Sequence, residues 1–201
     1  ALTGRTPEYG FHLEKNRYGK LLIKVEAPLN DMTDYGTLGF FAGKIAGQET
    51  PVFTGIPTDP TQEQLKALSA ALPASGSVSM FHAVGVTPEA PTLAEAFGGQ
   101  KPERVYVFGP VEKEQSEAAL DREPSNRVDW VQIGCPHASM EEIREVADAL
   151  EGKKVHEDVT LWVTTASAMY AMAERVGYVK TIEGAGGVIV QETCPFLARS
   201  R

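Results

Sequence analysis

Two cysteines, Cys135 and Cys194, are the residues of this chain best suited to chemistry, and they are its only thiols. Each precedes a proline and follows an apolar run, residues 128–133 before the first and 187–190 before the second. The ends of strands in α/β proteins face the crevice in which ligands bind. Because thiolates are soft ligands, two of them at one such edge would suit zinc or an iron–sulfur cluster.

Other interpretations of the two cysteines stay open at this point. A free cysteine is often a small buried hydrophobic residue, and the chain has neither a CxxC nor an HExxH motif. A cysteine nucleophile with His137 as its base would make a hydrolase or transferase. Only Pro136 separates that histidine from Cys135, which places the two side chains poorly for each other. Metal ligation is therefore favoured, and a non-catalytic metal-binding or regulatory module is the alternative from another class.

Polar residues beside the predicted strand ends extend the candidate site. His137 follows Cys135 in what the sequence predicts to be a strand-to-helix loop, and its imidazole is the candidate acid or base. Hydroxyl, imidazole and backbone N–H groups on such loops can hold a carboxylate or a phosphate. The predicted substrate-binding residues are Ser139, His82, Thr164 and Thr165.

Alternating strands and helices must position these residues. Predicted strands cover residues 21–26, 51–54, 77–82, 104–108, 128–133, 159–163 and 188–190, the fifth of them as a buried strand. Predicted helices cover residues 31–47, 61–72, 92–97, 111–120, 140–150 and 166–176. This order predicts an α/β fold with mostly parallel sheets and flanking helices. A linker over 121–127 would separate two α/β lobes, 1–120 and 128–201, with a single domain as the alternative.

Two helices carry further local signals. Ser139 and Glu142 form an S-x-x-E capping box at the start of the 140–150 helix, which has one apolar stripe opposite a charged face. In the 31–47 helix, Gly36, Gly39 and Gly43 share one face and predict close packing against a neighbour.

Composition narrows the class of protein. The 201 residues are 42% hydrophobic and 23% charged, as in ordinary globular proteins. A net charge of −8 argues against binding to nucleic acid or to an anionic membrane, and no apolar stretch would span a bilayer. No signal peptide opens the chain, so a cytoplasmic location is predicted. A start at Ala1 and an end soon after Cys194 predict a fragment of a longer polypeptide.

Six segments, in this order, resemble the aconitase X family, and together they run along nearly the whole chain. They are residues 3–12 (TGRTPEYGFH), 81–90 (FHAVGVTPEA), 134–139 (GCPHAS), 161–165 (LWVTT), 185–188 (AGGV) and 193–195 (TCP). The resemblance implies an aconitase-like three-layer α/β architecture and an iron–sulfur hydro-lyase. It also implies a small hydroxy-acid substrate, either mevalonate 5-phosphate or cis-3-hydroxy-L-proline.

In this family the large subunit supplies three cysteine ligands to the cluster. The resemblance places the second at Cys135 and the third at Cys194, which are 59 positions apart (194 − 135). It places the first upstream of this chain, and the swivelling domain or subunit with its serine base is also absent here. The isolated fragment is therefore expected to hold no complete cluster and to be inactive, with the missing parts of the large subunit and the swivel domain as its partners.

Overall fold

Two parallel sheets organise the chain in a computed structural model that describes residues 3–121 and 127–194. The chain divides into two units, Ala1–Arg122 and Glu123–Arg201. Each unit has its own sheet: four strands in the first and three in the second. All strand pairs are parallel and helices connect most of them, so the predicted α/β class is confirmed.

The first unit contains two short 3-10 helices, four strands and four α-helices. Its 3-10 helices are Gly10–His12 and Glu14–Asn16. Its strands are β1 (Leu21–Val25), β2 (Pro51–Thr54), β3 (His82–Ala83) and β4 (Arg104–Phe108), in the order β3-β2-β1-β4. Its helices are α1 (Met32–Ala46), α2 (Gln62–Gly76), α3 (Leu93–Ala96) and α4 (Pro110–Leu120).

Both faces of the first sheet are covered, as is usual for parallel sheets. On one face Leu21 and Ile23 of β1 pack with Leu38 of α1 and Leu68 of α2. On the other face Leu22 belongs to a smaller buried cluster with Val52, Ala90, Ala96 and Phe97. The alternation along β1 therefore fills two apolar layers.

The second unit has three strands and three helices. The buried side chains of its helices pack against one face of the sheet. The strands are β5 (Trp130–Ala138), β6 (Thr160–Thr165) and β7 (Val188–Gln191), in the order β5-β6-β7. The helices are α5 (Met140–Leu150), α6 (Ser167–Val176) and α7 (Tyr178–Gly184). Ile143, Val163 and Ile182 are fully buried in its core, and each such side chain contributes about 1.5–3 kcal/mol.

The predicted capping box is found at the start of α5, where the sequence placed it. Ser139 Oγ accepts a hydrogen bond from the backbone N–H of Glu142, and the Glu142 carboxylate accepts from the N–H of Ser139. At α1, the side chain of Asp31 accepts from the N–H of Asp34. Both helices begin within a residue or two of the predicted start. A cap joins groups only three positions apart, so it can be predicted from the local sequence.

Four segments differ from the prediction. The strand predicted over 77–82 is reduced to His82–Ala83, and α2 extends to Gly76, past its internal Pro73. The strand predicted over 128–133 runs instead from Trp130 to Ala138. It is not a buried strand, because Trp130 is 48% exposed. Helix α7 was not predicted; it starts directly after Gly177, and a seven-residue helix gives little periodicity to detect. Most of the predicted linker, residues 122–126, lies outside the described part of the chain.

The shared face of Gly39 and Gly43 packs against α2, as predicted. A Cβ added to Gly43 would overlap Ser75 Oγ and lie 2.5 Å from the carbonyl oxygen of Leu72. At Gly36, two turns before Gly43, an added Cβ would have no neighbour within 4 Å. Within the described residues no helix is long and apolar enough to cross a membrane.

We expect Gly43→Ala to destabilise the first unit and Gly36→Ala to stabilise it slightly. Overpacking costs about 1–3 kcal/mol, whereas alanine in an open helix position gains about 0.5–1 kcal/mol over glycine. Hydrogen exchange of the α1 and α2 amides measures both changes in one experiment. Equal protection in the two variants would contradict the close contact between the helices.

Candidate metal-ligand cleft

The three parallel strands of the second unit bring three chain segments to one edge of its sheet. Residues 134–137 form the irregular end of β5, residues 164–165 end β6, and residues 192–194 follow β7. Because parallel strands share a direction, their carboxyl ends lie side by side. The sequence predicted 134–137 as a loop. The structure assigns these residues to the strand, although their pairing with β6 is interrupted between Ile133 and Ala138.

A cleft of about 400 Å³ opens at this edge and contains both cysteines. It is lined by Gly134, Cys135, Pro136, His137, Glu192, Thr193 and Cys194. Both cysteines are free and exposed, and the Cys135–Pro136 peptide bond is cis. Two thiols separated by 59 positions in sequence therefore share one solvent-accessible site.

His137 links the two cysteine segments. Its Nε2 atom donates a hydrogen bond to the carbonyl oxygen of Thr193, at 3.0 Å, and both residues line the cleft. With Nε2 as the donor, Nδ1 is the acceptor nitrogen of the neutral ring. The imidazole is exposed, so it is placed to meet a ligand bound between the cysteines.

Thr164 and Thr165 lie beneath the cleft rather than in its lining. Both are fully buried. Thr164 Oγ1 donates to the carbonyl oxygen of Gly134 at 2.5 Å, and Thr165 Oγ1 donates to that of Ala138 at 2.7 Å. The contacts described for these hydroxyls are thus with protein groups that flank Cys135 on either side, and a role in substrate binding stays a prediction.

Glu192 lines the cleft and is a site residue that the sequence analysis missed; its partner is Ser167 at the start of α6. Both the backbone N–H and the hydroxyl of Ser167 donate to Glu192 Oε1, at 2.6 and 2.7 Å. These two hydrogen bonds, with the nearby His137, hold the pKa of Glu192 below its usual range despite some desolvation. The carboxylate caps α6, whose own N-cap residue, Ala166, provides no side-chain cap. The sequence shows a serine at a helix start and a glutamate after a strand, but no local pattern predicts that these two side chains meet.

The other two predicted substrate residues have structural contacts. Ser139 is the N-cap of α5, next to the cleft-lining segment. His82 lies in the first unit, buried at 2% exposure, where its Nε2 donates to the carbonyl oxygen of Arg17 at 2.7 Å. It borders a cleft of about 600 Å³ in that unit with Arg17 and Glu89. Within the second unit, the cleft therefore brings together Cys135, Cys194 and His137 of the predicted site, with Ser139 and the two threonines beside it.

The donor chemistry of the cleft fits part of an iron–sulfur site. Exposed thiols are the ligands that such clusters use. Across residues 3–121 and 127–194, no group of three or more histidine, cysteine or acidic side chains is arranged to hold a metal ion. The cleft thus offers two thiolates, and a complete ligand set needs at least one further donor.

The fold and the cleft define a parallel α/β unit with two cysteines at one edge of its sheet. Comparisons with known proteins identify the family to which it belongs. Residues 19–121 match the sequence model of the aconitase X second domain, and residues 128–201 match that of the third domain. The chain belongs to the aconitase X family, which confirms the resemblance found in its sequence.

Individual relatives agree with this assignment. The chain is 40% identical over 200 residues to the phosphomevalonate dehydratase large subunit of Methanothermobacter thermautotrophicus, covering 98% of this chain and 47% of that protein. It is 39% identical over 197 residues to the cis-3-hydroxy-L-proline dehydratase of Pseudomonas aeruginosa, covering 96% and 34%. The crystal structure of Thermococcus kodakaraensis aconitase X (holo-form) superposes with a TM-score of 0.83 at 32% identity, covering 96% of this chain and 48% of that one. The chain thus spans about half or less of the length of these proteins.

Proposed function

We propose that this chain forms part of a hydro-lyase that dehydrates a small hydroxy acid at an iron–sulfur cluster. Cys135 and Cys194 would be two of the three cysteine ligands. The observation that carries the proposal is that both cysteines line one cleft at the sheet edge of the second unit. The names of the relatives support the reaction class, because those proteins are dehydratases.

The cluster would supply an iron with an open coordination position, which acts as a Lewis acid toward the hydroxyl group that leaves. Cys135 and Cys194 would hold it as thiolates, and the remaining cysteine ligand would come from outside this chain. Both sulfur-bearing residues are exposed, so the cleft leaves room for a bound group of this kind.

His137 is the residue of this chain that we assign to the reaction itself. Its Nε2 is committed to the Thr193 carbonyl, which fixes the ring in the cleft between the two cysteine segments. We assign the imidazole the role of acid or base in the reaction, or of hydrogen-bond donor to a substrate carboxylate. Ser139 stays in the proposed substrate-binding set, and its own N–H and hydroxyl form the capping box of α5 beside the cleft.

The substrate would be a small hydroxy acid such as mevalonate 5-phosphate or cis-3-hydroxy-L-proline, since these match the activities in the relatives' names. His82, Thr164 and Thr165 stay in the proposed substrate-binding set. The missing part of the large subunit would provide the first of the three cysteine ligands, and a swivel domain or subunit would provide the serine base. In this arrangement residues 1–201 alone would be inactive.

Anaerobic reconstitution with iron and sulfide tests the proposal. Residues 1–201 alone are expected to bind less iron and sulfide than a cluster requires, because metal affinity depends on the full ligand set. The same residues, joined to the remaining parts of an aconitase X enzyme, should bind a full complement and dehydrate one of the two candidate substrates.

Three outcomes would contradict the proposal in different ways. A complete cluster on residues 1–201 alone would show that no outside ligand is needed. Metal binding without dehydration in the completed protein would favour a binding or regulatory module. Ester or amide hydrolysis without iron would favour a cysteine-dependent hydrolase with His137 as its base.

A further inference from the structure

We propose that residues 164–167, which join β6 to α6, act as a template that sets the spacing between Cys135 and Cys194. The role of the template in cluster ligation rests on the proposed function, whereas its effect on the two thiols does not. β6 is the central strand of the sheet, between the two strands that carry the cysteine segments. One short segment thus contacts both of them.

The Cys135 segment needs a support other than strand pairing. The ladder between β5 and β6 stops after Ile133 and resumes only at Ala138, which leaves residues 134–137 outside it. The hydroxyls of Thr164 and Thr165 bond to the carbonyl oxygens of Gly134 and Ala138, at the two ends of this gap. They take the place of the missing backbone pairs.

The Thr164 hydroxyl is itself held in place. Gln132 Nε2 donates to Thr164 Oγ1 at 2.8 Å and also to the carbonyl oxygen of Ile133 at 2.8 Å. The threonine is fully buried, so water does not replace a lost partner. The Gln132–Thr164–Gly134 chain of hydrogen bonds therefore fixes the peptide that precedes Cys135.

The Cys194 segment is attached to the other end of the template. The N–H of Glu192 donates to the carbonyl oxygen of Thr165 at 3.1 Å. The Glu192 carboxylate accepts hydrogen bonds from both the backbone N–H and the hydroxyl of Ser167. Glu192 has a φ of +52°, a backbone conformation uncommon for a residue other than glycine. These contacts hold the chain in that turn two residues before Cys194.

Cross-linking of the two thiols in residues 1–201 measures their spacing directly. Dibromobimane fluoresces only after both of its arms have alkylated thiols, so its intramolecular reaction reports how often the two sulfurs are within its reach. In the unaltered chain, cross-linking of Cys135 to Cys194 should be efficient. Thr164→Val and Ser167→Ala should each slow it about fivefold, the effect expected from one lost hydrogen bond of about 1 kcal/mol.

Matched variants separate a template from a general loss of stability. Thr164→Ser keeps the hydroxyl and should restore most of the cross-linking rate. Thr181→Val removes a partly buried hydroxyl that bonds to a carbonyl oxygen elsewhere in the same unit, and it should leave the rate unchanged. Ser167 is exposed, so its alanine variant is expected to fold even if Thr164→Val does not. Labelling of single thiols by a monofunctional maleimide should be the same in all variants that fold.

The results distinguish this inference from the proposed function. Efficient cross-linking that is unchanged in Thr164→Val and Ser167→Ala would overturn the template while the shared cleft stands. An equal loss in Thr181→Val would also overturn it. Absence of cross-linking in the unaltered chain would contradict the shared cleft itself, and with it both proposals.

Discussion

Replacing Cys135 by serine in a completed aconitase X enzyme that contains residues 1–201 should abolish cluster retention and dehydration together. Serine is close in size, so little packing is lost at this exposed position. Its hydroxyl is a hard, weakly acidic ligand that does not replace a thiolate on iron. Changes to residues that support metal ligands already lower metal affinity or activity by about 10–100-fold. Removing a ligand itself should therefore lower them by more than about 100-fold. Iron and sulfide content, measured beside turnover of both candidate substrates, gives the result.

His137→Ala is the comparison for this variant, since His137 lines the same cleft. It should keep most of the iron and sulfide but lower turnover by about 10²–10⁴-fold, the usual contribution of an acid or base. A Cys135→Ser enzyme with full iron and full activity would remove the basis of the proposed function. Cluster loss in His137→Ala would show that the imidazole helps to bind the cluster rather than the substrate.

Gly134→Ala is expected to destabilise the second unit strongly and to displace Cys135 as well. Gly134 has a φ of +96°, and an added Cβ would overlap the carbonyl oxygen of Thr164 and lie 3.0 Å from the N–H nitrogen of Ala138. The left-handed backbone costs about 1–2 kcal/mol for an L-residue, and overpacking against backbone costs about 1–3 kcal/mol more. A total of about 2–5 kcal/mol is a large part of the stability of a small unit.

Both tryptophans of the chain, Trp130 and Trp162, lie in β5 and β6, so their fluorescence during urea unfolding reports on this unit. Gly152→Ala is the matched control, because Gly152 has a φ of +69° but no atom within 4 Å of an added Cβ. It should cost only the backbone part, about 1–2 kcal/mol. If the two variants unfold at the same urea concentration, the close approach of Gly134 to Thr164 does not constrain the site.

Much of the fold follows from patterns within a few residues of the chain. Two helix caps each join groups three positions apart: the capping box of Ser139 and Glu142 at α5, and the Asp31 cap at α1. The apolar stripe of α5 became the buried Ile143, Val146 and Ala147. Parallel sheets followed from the alternation of strands and helices, because a crossover between parallel strands needs a helix-length connection. The placement of Cys194 after a strand was visible for the same reason, whereas Cys135 lies within β5 rather than after it.

The tertiary structure decided what lies between distant segments. Whether residues 134–137 continue β5 depends on Thr164 and Thr165, about 30 positions later, and β3 is short although its sequence has a strand pattern. The hydroxyls of Thr164 and Thr165, which were predicted to bind a substrate, are buried against protein carbonyls, because β6 is the central strand. The pairing of Glu192 with Ser167 spans 25 positions, and no local pattern encodes such a contact. Sequence alone therefore determined which residues could do chemistry and the elements that carry them, whereas long-range hydrogen bonds determined how those residues are held.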